Sequence, residues 1–128
     1  MTFRSHPLED IFPDVKRPQQ YTGGEWNTVV PAAGRPRITL VYPDTYELGM
    51  ANFGLSILRH VLMASGEFDV RRAFSPAPDL DRILESNGRQ FVDIERGDPV
   101  STGSVIGFGV PCESLYTNVL HLMGLMGM

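Results

Sequence analysis

A single cysteine, Cys112, stands in a chain of 128 residues, so no intramolecular disulfide can staple the fold and no cysteine cluster can hold a metal. Basic charge is also scarce. The formal net charge is -4, with 20% charged residues and no dense run of Lys or Arg, which removes the footprint of a phosphate-backbone binder and excludes nucleic acid as a partner. No apolar stretch is long enough to span a bilayer, and no signal-peptide pattern leads the chain. Together with the lone thiol, this argues against a membrane and for a reducing, cytoplasmic setting. What is present is 42% hydrophobic and 9% aromatic, too apolar for disorder and ordinary for a globular domain. One domain of this length buries about two-thirds of its unfolded surface.

Residues 1–36 form an N-terminal arm. Pro7, Pro13, Pro18, Pro31 and Pro36 with Gly23-Gly24 break any long periodic element. Leu8, Ile11, Phe12, Tyr21 and Trp26 are its apolar anchors, expected to pack along the outside of a domain. Residues 37–128 have a different texture. Ile38 to Tyr42 is a β-branched apolar run stopped by Pro43-Asp44, as in a strand covered on both faces. Gly49 to Ser65 predicts one helix, with Ala51, Gly54, Leu55, Leu58, Val61 and Leu62 on the inward stripe and Arg59 and His60 opposite. Phe68 to Phe74 alternates as a strand, and Pro76 to Asp79 supplies a turn and N-cap for a helix bearing Leu80, Ile83 and Leu84. Asn87-Gly88 is a left-handed exit before a third strand over Gln90 to Ile94. After polar turn formers, Ser104 to Val110 predicts an interior strand. From Glu113 an amphipathic helix places Leu115, Val119, Leu122 and Met126 on one side.

Strands alternating with helices imply right-handed crossovers and a parallel sheet. The expected fold is α/β, a flavodoxin-like doubly wound parallel sheet. Four strands are counted where such a sheet usually has five. Truncation accounts for the shortfall, as does a sheet that ends at its fourth strand with a covered edge.

Open α/β sheets bind ligands at the carboxyl ends of their strands, which directs attention to two loops. The first, from Tyr42 to Leu55, carries Pro43, Asp44, Tyr46, Glu47, Gly49 and Met50; Gly49 and Gly54 permit close backbone approach and the helix N-terminus that follows offers free N–H groups. The second carries Gly109, Pro111, Cys112 and Glu113, where glycine thins the strand and a planar ligand can approach. Bland alternatives accompany each. Asp44 and Glu47 read first as turn carboxylates capping the following N–H groups. Cys112 reads first as a small buried hydrophobe and only second as a reactive thiol. His60 and His121 fall on polar helix sides without nearby partners, so neither recommends itself as a metal ligand. Met126 and Met128 are the methionines best placed for an interface.

Several phrases, in order and spacing, carry a resemblance: Tyr21-Thr-Gly-Gly-Glu-Trp-Asn27, Tyr42-Pro-Asp-Thr-Tyr-Glu-Leu-Gly-Met50, Gly54-Leu55, Ile57-Leu58 and Tyr116-Thr-Asn-Val-Leu120. From about Arg17 to its end the chain resembles the leading, cobalamin-binding-like segment of a radical S-adenosylmethionine (SAM) protein family. The resemblance implies a downstream (β/α) barrel as partner, with a C-x-x-x-C-x-x-C loop holding an iron–sulfur cluster that cleaves SAM. None of that loop is in this sequence. It also implies a candidate cobalamin, held by the rim residues named above. The cobalt-ligating signature D-x-H-x-x-G is absent, however, since Arg4, Leu58 and Val119 stand two before His6, His60 and His121.

Three functions follow. The first is a non-catalytic accessory domain that binds a corrin-like cofactor or shapes the entrance to an active site. The second is a docking domain that self-associates or packs on the barrel through its carboxyl-terminal helix. The third, a nucleotide-binding or receiver-like domain, is weakest, because Gly107-Phe-Gly109 is followed by Val-Pro-Cys and not by G-x-x-G, and Asp44 lacks the acidic neighbour that magnesium needs.

Overall fold

The computed structural model describes residues 5–25 and 33–128. Three parallel strands form its sheet, with β1 (Arg37–Tyr42) in the centre, β2 (Asp69–Phe74) on one side and β3 (Val105–Phe108) on the other. Leu40 lies opposite Arg72 and Gly107, which fixes the register on both sides. The apolar run of β1 is explained by cover on both faces. Leu40 and Tyr42 pack with Leu55, Val70 and Phe74, whereas Val41 packs with Ala73, Val100 and Leu122. The α/β class and parallel sheet expected of a flavodoxin-like fold are therefore present, with three strands among the described residues and not four.

The segment Gln90 to Ile94 is not the strand its apolar pattern predicts. Phe91 serves the cluster on one sheet face and Ile94 the cluster on the other, while Asp93 between them is drawn to Arg71 (2.9 Å). The segment runs beside the outer edge of β2, touching it through the Ile94 N–H and the Arg72 carbonyl at 2.9 Å. Glu95 then accepts from the Arg72 N–H at 2.7 Å. A carboxylate thus stands where a neighbouring strand would supply a carbonyl, and the edge is capped without a ladder. β3 is also an edge strand, not an interior one: Val105 is 54% exposed.

The helix expected over Gly49 to Ser65 divides into α1 (Tyr46–Met50) and α2 (Phe53–Ala64). Asn52 causes the restart, its side chain accepting the Leu55 N–H at 2.8 Å as an N-cap. The inward stripe of α2 also differs from expectation. Leu55, Leu62 and Met63 join the core and Arg59 turns inward to within 4.0 Å of Glu95, which leaves Leu58 and Val61 exposed. Gly49 is required where it stands: a Cβ there would lie 2.1 Å from Cδ1 of Phe74.

Helix α3 (Pro78–Asn87) is N-capped at Ala77, with Pro78 at its first position, and exits through Gly88 at φ 61. Asp79, expected as the cap, instead accepts the Lys16 N–H at 2.8 Å and so ties down the arm. Two short 3-10 turns, Glu9–Asp14 and Pro18–Gln20, order that arm. Leu8 and Ile11 bury against Leu80 and Leu84 with Phe12 and Tyr21 beside them, the external packing foreseen for these anchors, and Val15, not foreseen, joins them. Trp26 lies outside the described residues. Helix α4 (Tyr116–Leu125) follows a 3-10 turn at Glu113–Leu115 and buries Leu122, as its pattern predicts.

Candidate functional site

All three strands end on one rim, and the chain leaves β1 and β3 toward opposite faces. α2 packs through Leu55 on the Leu40 side, and α4 through Leu122 on the Val41 side. A crevice opens where two neighbouring parallel strands diverge in this way. It has a volume of about 260 Å³ and is walled by Tyr42, Asn52, Gly54, Leu55, Gly109 and Pro111, among others. The extended strand end holds one wall, since Gly109 N–H donates to the Val41 carbonyl at 2.9 Å. Asn118 Nδ2 donates to the Pro43 carbonyl at 2.8 Å and fixes the mouth of α4 to the β1 loop.

The ten residues singled out from the sequence separate into groups. Gly109 and Pro111 line the crevice, and buried Pro43 meets Asn118 at its edge. Tyr46 and Gly49 face inward against Phe74, the Tyr46 and Phe74 rings standing perpendicular with centroids 5.7 Å apart. Met50 Sδ accepts from Arg72 Nη1 at 3.3 Å. Asp44 takes the adjacent Thr45 N–H at 2.7 Å, while the N-cap of α1 is Thr45 itself, without a side-chain cap. Glu47 does not join the crevice: Arg17 Nη1 (2.9 Å) and Gln20 Nε2 (2.7 Å) of the arm claim its carboxylate. Its own backbone N–H, then Gln20 and Arg17, hold that carboxyl below the usual range. Cys112 is exposed, not buried, with Sγ 3.1 Å from Ser114 Oγ, because the chain leaves the sheet one turn before it re-enters the core at Leu115. Glu113 opens that turn at the surface.

The arm closes the other half of the rim. Tyr21 Oη accepts the Ala77 N–H at 2.9 Å, and burial raises the Tyr21 pKa above its ordinary value. Beneath the arm a cavity of about 380 Å³ remains, bounded by Lys16, Arg17, Tyr21, Glu47, Pro78 and Asp79, among others. Tyr42, Asn52 and Leu55 belong to the first loop stretch but were not singled out within it, although an Asx residue directly before an apolar helical run is a legible N-cap signal. The neighbours of His121 were also missed. Asp81 Oδ1 lies 2.7 Å from its Nε2 across a separation of 40 residues that no local pattern spans.

Two remaining ionic clusters serve the fold. Buried Arg71 takes Asp69, Asp93 and Asp98 together. Burial opposes its charge, but the three carboxylates raise its pKa above the ordinary value. Glu95, its side chain fully buried, pairs with Arg72 Nε at 2.7 Å. Burial raises the Glu95 pKa against the pull of that guanidinium.

The helices on its two faces make this a three-layer α/β sheet with an apolar crevice at its switch point. The family model describing the N-terminal domain of radical SAM proteins matches residues 54–128, more than half of the chain, and the chain belongs to that family. No curated protein and no solved structure matches it. The iron–sulfur cluster of such proteins needs several thiolates; Cys112 is the one cysteine here, so these residues do not fit the cluster. No helix among the described residues is long and apolar enough to cross a membrane.

Proposed function

We propose that the chain is a non-catalytic accessory domain that docks against, and shapes the entrance of, a radical SAM catalytic domain in the same protein. Family membership supports the placement. The observation that carries the docking is the outer face of α2 beside the crevice, where Phe53, Ile57 and Val61 recur every fourth residue at 77%, 49% and 59% exposure. Leu58, 47% exposed on the same helix, adds to it. Burying each such side chain is worth about 1.5–3 kcal/mol, and contiguous apolar surface of this kind marks an interaction site. The crevice opens next to this face, since Leu58 borders both.

Entrance shaping has better support than corrin binding. The crevice falls below the range of about 300–1,000 Å³ common to small-molecule pockets. His121 is held beside Asp81 on the α3 side, and His60 and His6 are not among the crevice residues. In the reading frame that holds this segment, a C-x-x-x-C-x-x-C loop is expected downstream. Hydrogen exchange of that whole protein should show amides at 53–61 and 109–113 slowed relative to the 128-residue chain. Equal exchange in the two would refute docking by this face. Hydroxocobalamin titrated into the chain should leave its visible spectrum unchanged, and a shifted spectrum with co-elution would restore the corrin reading.

A further inference from the structure

Two carboxylates and an imidazole converge where α3 meets α4. Asp81 and Glu85 stand one helical turn apart, so their side chains share a face of α3. His121 of α4 reaches between them, with Nε2 2.7 Å from Asp81 Oδ1 and Nδ1 3.8 Å from Glu85 Oε1. One ligand atom from each residue lies within 4.8 Å of the other two.

Charge compensation sets this cluster apart. Arg71 neutralises the aspartates around it, Arg72 and Arg59 flank Glu95, Arg17 takes Glu47 and Arg89 takes Asp10. Among the described residues, the ion pairs of Asp81 and Glu85 are both with His121 and none is with Lys or Arg. Two carboxylates held this close repel each other and favour a cation between them. The surroundings leave room for one, because a cavity of about 760 Å³ bordered by Glu85, Leu120, His121 and Gly124 opens beside the cluster.

We propose that Asp81, Glu85 and His121 form a divalent transition-metal site that accepts Zn²⁺ and ties α3 to α4. One imidazole nitrogen with two carboxylate oxygens suits zinc better than calcium, which takes oxygen ligands alone. Bonds of about 2.0–2.2 Å set tetrahedral ligand atoms about 3.3 Å apart. Glu85 is exposed, so rotation of its side chain can close the remaining gap. Water takes the open position toward the cavity. The site is distinct from the rim crevice and does not depend on the docking reading.

The test is calorimetric titration of ZnCl₂ into the 128-residue chain carrying Cys112→Ser, which removes the competing thiol, with thermal melts in parallel. One zinc per chain at micromolar affinity is expected, with a raised Tm. His121→Gln and Glu85→Gln should each weaken binding by at least about tenfold and abolish the rise in Tm, while His60→Gln on α2 should change neither. Because Glu85 is exposed, its variant keeps the test valid if His121→Gln does not fold. No binding below millimolar zinc, equal affinity in Glu85→Gln, or loss of binding in His60→Gln would each overturn the proposal and leave the cluster as an interhelical ion pair.

Discussion

Replacing Gly49 with alanine sets two effects of opposite sign against each other. Gly49 lies inside α1, where helix propensity alone favours alanine by about 1 kcal/mol. Packing opposes it. The added methyl would stand 2.1 Å from Cδ1 and 2.2 Å from Cε1 of Phe74, about 1.4 Å inside the contact distance of about 3.5 Å. The ring has little room to retreat, since Phe74 is 5% exposed and packs perpendicular to the Tyr46 ring. Strain of about 2–3 kcal/mol is expected for an intrusion of this size. The net loss is then about 1–2 kcal/mol, or a fall in Tm of about 4–8 °C for a chain of this length. Urea titration and thermal melts of wild type, Gly49→Ala, Phe74→Leu and the double variant would measure it. Leucine at position 74 vacates the space the methyl needs, so the pair should couple by at least about 1 kcal/mol. A Gly49→Ala chain that melts higher than wild type would refute the reasoning, and additivity in the cycle would show that the ring is not the obstacle.

Removing the guanidinium from the buried network by Arg71→Met should cost about 3–5 kcal/mol, because three carboxylates lose the charge that balances them; a urea-derived loss below about 1 kcal/mol would contradict that. His6 gives the arm a pH dependence. Burial lowers its pKa, and its Nδ1 accepts the Leu8 N–H at 3.2 Å, a role open only to the neutral ring. Since the folded value is depressed, the stabilisation is complete above the ordinary imidazole value of about 6.5 and is lost as pH falls through the lower folded value. Urea midpoints at pH 7.5 and 5 should therefore converge between wild type and His6→Gln on acidification, and an unchanged gap would dispose of the idea.

Much of the architecture is legible in the residues themselves. The run from Ile38 to Tyr42 announces a doubly covered strand, Gly88 marks the end of α3, and Leu115, Val119 and Leu122 mark the buried side of the last helix. Those signals are local: period, cap and breaker. The errors share a cause. Gln90 to Ile94 has the composition of a strand, yet Phe91, Asp93 and Ile94 each answer to a different partner. The inward stripe of α2 follows Arg59, an arginine that periodicity assigns to solvent and Glu95 draws inside.

The same distinction governs the site. That function concentrates in the loops after β1 and β3 follows from the order of elements, so Gly109 and Pro111 were within reach of sequence alone. That Glu47 pairs with the arm, that Asn118 ties α4 to the loop after β1, and that Asp81 meets His121 were decided by tertiary contacts 27 to 75 residues apart. Backbone propensity and hydrophobic period act over a turn or two of chain and are written in neighbouring residues. Charge pairing and steric fit act through space, and only the folded chain brings those partners together.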